Sequence, residues 1–319
     1  MKVFIGRNIP AAGLQKLQNA PEISHLEIWP HAHPASPEEL REAVADCDAF
    51  LAVPPDRVDE ELLSAAPNLK VIANHAVGVD NIDVAACHAR KILVGNTPDV
   101  LTDSTADVAW ALLMASAWRV PQADFDVRNK RWGGWSPTDY WGTDVSGATL
   151  GIVGFGRIGQ AVARRAHGFG MTILYWNRSA KPEAEAELGA TRVELDELLK
   201  QSDFVSLHCA LTDETRNLID AEKLAQMNPS AILINTARGA VVDQNALVEA
   251  LKANTIRGAG LDVFVQEPVP HGDPILQLKN VVMMPHLGSA TEKTRNAMSL
   301  LAAENILAGL RGEALPHAV

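Results

Sequence analysis

The sequence predicts an α/β protein built from two doubly wound parallel sheets, and three observations carry that reading. Its 319 residues exceed the usual size of one domain and favour two. Short apolar runs alternate with segments rich in Ala, Leu and Glu, the rhythm of strand, crossover helix and parallel strand. A Trp- and Gly-rich stretch, RWGGWSPTDYWG, interrupts this rhythm near mid-chain, after which it restarts.

Taken in order, KVFIG opens the chain as a strand that turns at RNIP, and DAFLAV, LKVIANHAVG and KILVGN supply three more strands within the first hundred residues. A long helix is expected in DSTADVAWALLMASAW, where Asp103 or Ser104 is placed to cap and apolar residues recur at three- and four-residue spacing. From Ala148 onward TLGIVGFG, MTILYWN, DFVSLHCA, AILINTA, AGLDVF and NVVMMPH read as the six strands of a second sheet. The stretch TRNAMSLLAAENILAGLRG is helical, ends at Gly312, and follows the last strand closely enough to cross back to the first domain.

Composition excludes several classes of function. With 47% hydrophobic and 21% charged residues the chain is not disordered, and a formal charge of -11 without any block of Lys and Arg argues against nucleic acid as a partner. Cys47, Cys87 and Cys209 are scattered, odd in number and lack CxxC spacing, so neither a disulfide framework nor a zinc site is expected. His31 and His33 form an HxH flanked by Pro30 and Pro34, which reads as a surface loop, and no metal is expected. The N-terminal segment does not read as a signal peptide and the apolar run from Val108 to Trp118 is too short to span a bilayer, so the expectation is a soluble, cytoplasmic protein with no membrane partner.

The strongest local signal is Gly154-Phe155-Gly156-Arg157-Ile158-Gly159, which follows an apolar strand and leads into a helical pattern. In that context the glycines permit a tight turn and bring backbone amides close to a pyrophosphate at a helix N-terminus. An acid at the end of the next strand would bond the ribose hydroxyls and repel a 2′-phosphate, but the sequence there is YWNRS. Asn177, Arg178 and Ser179 offer amide, guanidinium and hydroxyl donors instead, with Lys181 nearby, so NADPH is expected in preference to NADH.

Three further stretches place polar residues at or just past strand C-termini, where open α/β sheets bind ligands: NTARG (235 to 239), GLDVFVQEP (260 to 268) and MMPHLGSAT (283 to 291). Each contributes one candidate, namely Arg238, Glu267 and His286. An Arg can clamp a carboxylate, a His can exchange a proton near neutrality, and a Glu beside it orients the ring. The trio suits reduction of a 2-keto acid, with His286 as proton donor to the carbonyl oxygen.

The chain resembles the D-2-hydroxyacid dehydrogenase family over nearly its whole length, through VGVDNID, VLTDSTA, GFGRIG, NTARGAVVD, GLDVF with QEP, and PHLGSAT. Within that family it is most similar to the glyoxylate and hydroxypyruvate reductases, in TPDVLTDSTA and RNAMSLLAAENILAGLRGE. The resemblance implies a discontinuous, flavodoxin-like substrate domain (1–99 and 287–319) and a Rossmann dinucleotide-binding domain (100–286). It also implies hinges near Pro98 to Leu101 and His286 to Ser289, and an active site in the cleft between the domains.

By the same resemblance, Arg238 binds the substrate carboxylate and carbonyl, His286 is general acid and base, Glu267 pairs with it, and the amides of Val77 and Gly78 grip the carboxylate. The cofactor set it implies is Thr105, Gly154, Phe155, Gly156, Arg157, Ile158, Asn177, Arg178, Ser179, Cys209, Thr215, Thr236, Ala237, Arg238, Asp262, His286 and Gly288. Ala210 departs from the Pro usual after that Cys, which leaves the loop near the adenine less defined.

The resemblance also implies homodimers built through the dinucleotide-binding domains, and the segment holding Trp132, Trp135 and Trp141 is expected either as that interface, with Trp141 reaching the neighbouring active site, or as a mobile loop cluster. Beside NADPH-dependent reduction of glyoxylate or hydroxypyruvate, two alternatives stand. One is another member of the family or a relative acting on a pyruvate-type keto acid or phosphite; the other is a non-enzymatic dinucleotide sensor.

Overall fold

A strand buried on both faces reads as a continuous apolar run, and most of the runs above become strands of that kind. The computed structural model describes residues 1–319. The chain divides into two compact units, one formed by Met1–Leu101 with Ser289–Val319 and the other by Thr102–Gly288.

The first unit holds β1 (Lys2–Ile5), β2 (His25–Ile28), β3 (Ala49–Ala52), β4 (Val71–Asn74) and β5 (Leu93–Gly95), all parallel, in the order β2-β1-β3-β4-β5. That is the flavodoxin-like order. Alternate residues of β1 face opposite layers: Val3 and Ile5 pack with Leu17, Ile306 and Leu307, while Phe4 packs with Leu40, Phe50 and Leu62. The helix Glu292–Arg311, capped by Thr291 and stopped at Gly312 with φ 74, belongs to this unit, as the cross-back reading expected.

The second unit holds β6 (Thr149–Val153), β7 (Thr172–Trp176), β8 (Ala190–Arg192), β9 (Phe204–Leu207), β10 (Ile232–Asn235), β11 (Gly258–Leu261) and β12 (Val281–Met283). Their order, β12-β11-β10-β9-β6-β7-β8, is parallel throughout and reverses direction between β6 and β9. A reversal of this kind opens a crevice at the strand C-termini. The helices Thr102–Ala117 and Arg157–Ala166 cover one face through Leu112, Leu113 and Ala163, and Leu198, Leu224 and Leu247 cover the other.

Three sequence expectations need correction. Each sheet has one strand more than the apolar runs revealed: β2 (HLEI), whose residues are only half-buried or exposed, and β8 (ATR), which is three residues long. Both lie at sheet edges, where one side has no neighbour to bury it. The long helix begins at Thr102, so Asp103 lies in its first turn and neither Asp103 nor Ser104 is the residue that precedes it. No helix is long and apolar enough to cross a membrane. The three cysteines form no disulfide, and the His31 and His33 rings stack on each other with centroids 5.2 Å apart.

One buried charge in the first unit has a consequence for stability. Asp56 is 3% exposed, and its Oδ2 accepts the Val53 amide at 2.9 Å. Burial pushes its carboxyl up from 3.8 to about 6, against the opposing pull of the Val53 amide and the Arg7 charge. A carboxyl raised by folding contributes stability below its ordinary value, and that contribution is lost as pH rises through about 6. Asp56→Asn keeps an acceptor oxygen and cannot ionise. It should be more stable than the unmodified chain above that pH, by up to about 2–3 kcal/mol, with the gap closing in more acid solution. Urea midpoints measured across pH check this, and a gap independent of pH would refute it.

Candidate active site

Because β10, β11 and β12 are adjacent and parallel, the segments that leave their C-terminal ends emerge side by side. Arg238 follows β10, Asp262 and Glu267 follow β11, and His286 follows β12. The loops pack tightly: a Cβ on Gly239 would fall 1.9 Å from the Phe264 carbonyl carbon, so no side chain is tolerated where the first loop meets the second.

His286 Nδ1 lies 2.8 Å from Glu267 Oε2, and the Phe264 amide donates to Glu267 Oε1 at 2.9 Å. Burial would raise the Glu267 carboxyl, but its hydrogen bond to His286, the charges of His286 and Arg238 and the Phe264 amide together hold it below the ordinary carboxylate value. An ionised Glu267 accepts only, so the proton on that side of the imidazole belongs to Nδ1, and Nε2 is left as the atom that gains and loses a proton. Arg238 is near enough for its charge to act on Glu267, and its own loop is tied down by Asn235, whose Nδ2 donates to the Arg238 carbonyl at 2.9 Å.

His286 has a φ of +55, a left-handed conformation that a non-glycine residue holds only when its surroundings enforce it. Asp262 enforces it. Fully buried, Asp262 accepts the His286 amide on its carbonyl at 2.9 Å and the amides of Leu287 and Gly288 on its two carboxylate oxygens at 2.6 and 2.9 Å. Burial raises its carboxyl above the ordinary value in spite of those amides and the His286 charge. Thr105, also buried, donates its hydroxyl to the Gly288 carbonyl. Thr105, Asp262 and Gly288 thus form the clamp behind the histidine.

The dinucleotide expectation meets a concrete test in the glycine loop. Gly154 adopts φ +94, and a Cβ there would sit 2.4 Å from the Cys209 amide, so the turn out of β6 needs glycine. Gly156 stands at the N-terminus of the ten-residue helix Arg157–Ala166 without any side-chain cap, and nothing lies within 4 Å of where its Cβ would be. An uncapped helix end beside open space at the point where the strand order reverses fits a pyrophosphate.

Other predicted residues are placed as follows. Asn177 bridges elements: its Oδ1 accepts the Phe155 amide at 3.1 Å and its Nδ2 donates to the Ser179 carbonyl at 2.8 Å. The donors left at the end of β7 are then the Ser179 hydroxyl and Arg178, whose side chain is 89% exposed and reaches only Glu214 at 3.9 Å. Arg192 on β8, not anticipated from sequence, donates to the Asn177 carbonyl at 3.3 Å and brings a second cation to this corner. Its signal was hidden because β8 itself went unseen. Thr215 closes its own turn by donating to the Ala210 carbonyl at 2.6 Å. Buried Thr236 lies 3.4 Å from His208 Nδ1, whose Nε2 meets Ser206 Oγ at 2.8 Å; burial drives this imidazole down to about 3. In the first unit, Val77 and Gly78 are half-buried in the loop after β4.

Comparisons with known proteins agree with this geometry. Residues 110–288 match the family described as D-isomer specific 2-hydroxyacid dehydrogenase, NAD binding domain. The chain is similar to a glyoxylate reductase of Thermococcus litoralis, 52% identical over 324 residues, covering all of this chain and 96% of the relative. Among solved structures, an NADPH-dependent glyoxylate/hydroxypyruvate reductase from Sinorhizobium meliloti in complex with NADP and malonate aligns with a TM-score of 0.86 at 34% identity, covering 100% and 96% of the two chains. A D-lactate dehydrogenase from Aquifex aeolicus complexed with NAD and lactic acid aligns with a TM-score of 0.87 at 28% identity, covering 100% and 99%. With a family match over more than half its length and relatives this similar along all of it, the chain belongs to the D-isomer specific 2-hydroxyacid dehydrogenase family and uses a nicotinamide dinucleotide.

Proposed function

We propose that this protein reduces glyoxylate and hydroxypyruvate to glycolate and D-glycerate with NADPH, His286 serving as proton donor. The observation that carries the reading is the 2.8 Å pairing of His286 Nδ1 with an ionised Glu267 close to Arg238, which leaves Nε2 as the reactive nitrogen. Names of similar chains support the choice of substrate, since the Thermococcus litoralis relative is a glyoxylate reductase.

Arg238 is the residue to hold the keto acid, its guanidinium matching the planar carboxylate and polarising the adjacent carbonyl. Hydride for the carbonyl carbon comes from the reduced nicotinamide when it is bound. The imidazolium of His286 gives its Nε2 proton to the oxygen as negative charge develops there, while Glu267 steadies the cation before transfer. In the reverse direction the neutral ring takes that proton back. Loss of NADPH absorbance on adding glyoxylate, hydroxypyruvate or pyruvate tests the assignment and ranks the substrates. Absence of turnover with every small keto acid would favour a dinucleotide sensor.

Most of the exposed large apolar side chains of the second unit lie between residues 118 and 141, namely Trp118, Val120, Phe125, Val127, Trp132, Trp135 and Trp141, with Trp135 85% and Trp141 67% exposed; Val265, Leu276, Met283 and Leu287 lie outside that segment. So much aromatic surface on one segment supports a homodimer through this unit. Arg257 anchors the Trp141 backbone, donating to the Trp141 and Gly142 carbonyls at 3.0 and 2.9 Å.

Four outcomes follow. Reduction should weaken as pH rises and oxidation should weaken as pH falls, because the two directions need opposite protonation states of His286. His286→Gln should lower turnover by about 10²–10⁴-fold with NADPH binding intact, and steady-state rates in both directions set against cofactor fluorescence check this pair of expectations. Arg178→Ala should raise the KM for NADPH about tenfold or more and leave NADH untouched, as loss of one charged hydrogen bond would; equal losses for both cofactors would remove the phosphate assignment. Finally, if Trp141 limits substrate size across the dimer, Trp141→Ala should admit bulkier keto acids, measured as kcat/KM along a series of increasing side-chain length.

A further inference from the structure

Three consecutive peptide groups in the loop after β4 are held by their carbonyls. The Ala76 carbonyl accepts the Thr97 amide at 2.9 Å, the Val77 carbonyl accepts Asn96 Nδ2 at 2.8 Å, and the Gly78 carbonyl accepts Asn74 Nδ2 at 2.7 Å. In a trans peptide the carbonyl and the following N–H point in opposite directions. Each of these bonds therefore turns the next amide, of Val77, Gly78 and Val79 in turn, away from the donor that holds the carbonyl. These three half-buried residues have no acceptor for their amides within the chain.

Successive amides without partners form a concavity suited to an anion. We propose that Asn74 and Asn96 are positioning residues that hold the Val77, Gly78 and Val79 amides open as a nest for the substrate carboxylate. The inference rests on the keto-acid reading above, takes the Val77 and Gly78 amides from the family resemblance, and adds the Val79 amide and the two side chains that set the direction of the loop.

Neither carboxamide is left to drift. Asn96 has its backbone fixed on both sides, its amide donating to the His317 carbonyl at 3.1 Å and its carbonyl accepting Asn305 Nδ2 at 3.0 Å. Asn305 is fully buried and also accepts the His317 amide at 3.1 Å. Fully buried Asn74 uses its second hydrogen on Asn81 Oδ1 at 2.9 Å, and Asn81 in turn donates to the Asp56 carbonyl at 2.9 Å. The network ties the loop after β4 to the turn at Val53 to Asp56. A purely structural purpose would be served as well by a loop whose amides were paired internally; here the carbonyls are paired and the amides are not.

The test compares Asn96→Leu, which keeps the branching of the side chain and removes the donor, with Asn96→Gln, which keeps a carboxamide, and Asn74→Ser. Steady-state kinetics with glyoxylate and NADPH are run beside binding of oxalate, a dicarboxylate with no reducible carbonyl, measured by calorimetry. For Asn96→Leu and Asn74→Ser, the KM for glyoxylate and the dissociation constant for oxalate should rise together by about tenfold. The kcat and the KM for NADPH should stay as they are, and Asn96→Gln should recover part of the loss. An unchanged KM, a fall in kcat alone, or a glyoxylate KM that rises without a matching change in oxalate binding would overturn the proposal. If the unmodified chain fails to turn over glyoxylate yet its oxalate binding weakens in these variants, the nest survives and the substrate assignment falls.

Discussion

Parallel pairing of the seven strands in the second unit is the constraint on which its chemistry depends. Parallel strands in register send every chain out at the same edge, so residues far apart in sequence arrive together without any need for long-range contacts between their side chains. The cost of that arrangement is crowding. The turn out of β6 meets the Cys209 backbone and the turn out of β10 meets Phe264, and both approaches are close enough that only glycine fits. Buried Asp262 solves the related problem of loose backbone, accepting two amides of the turn after β12 on its carboxylate and a third on its carbonyl. The unusual φ of His286 is thus a product of the clamp behind it.

What was legible in the sequence is what burial or ordered motifs imprint on it. Central strands such as ILIN and VIAN have to be apolar on both faces, so they announce themselves. Edge strands do not: HLEI is half in water, and ATR is stabilised by its pairing with β7 more than by its own side chains. Arg238, Glu267 and His286 were readable because each ends a strand and brings a distinct chemistry to it. Asn177 was readable as a polar substitute for an acid, but its bridging of Phe155 and Ser179 was not, since a carboxamide looks the same in sequence whether it faces a ligand or a backbone. The same blindness hid Asn74 and Asn96, which act on carbonyls that carry no sequence signature at all.

Electrostatics poses a separate question, because a chain with a formal charge of -11 is asked to gather anionic ligands. Screening answers most of it. At physiological ionic strength the field of a surface charge fades over about 8 Å, so the donors within a few bonds of a ligand decide its binding. The corner at the end of β7 brings together Arg178, Arg192 and the Ser179 hydroxyl, and the glycine loop adds an uncapped helix end. Local positive character of this kind survives an acidic surface.

Within a few ångströms of His286 the balance is finer, since two carboxyl groups flank one imidazole. Their environments separate them. Glu267 is drawn below its ordinary value by the histidine, the Phe264 amide and Arg238, and so remains a charged acceptor throughout the range in which an imidazole titrates. Asp262 is pushed the other way by burial, yet it keeps both oxygens on the backbone amides of Leu287 and Gly288. Two acids of similar intrinsic strength are thereby given different duties, one electrostatic and one architectural. Exchange of the two environments would leave the ring with a partner that resists ionisation and the turn with no buried acceptor for its amides. The division of roles follows from the order β12-β11-β10, which puts the start of the β11 loop under the histidine and its later part beside the ring.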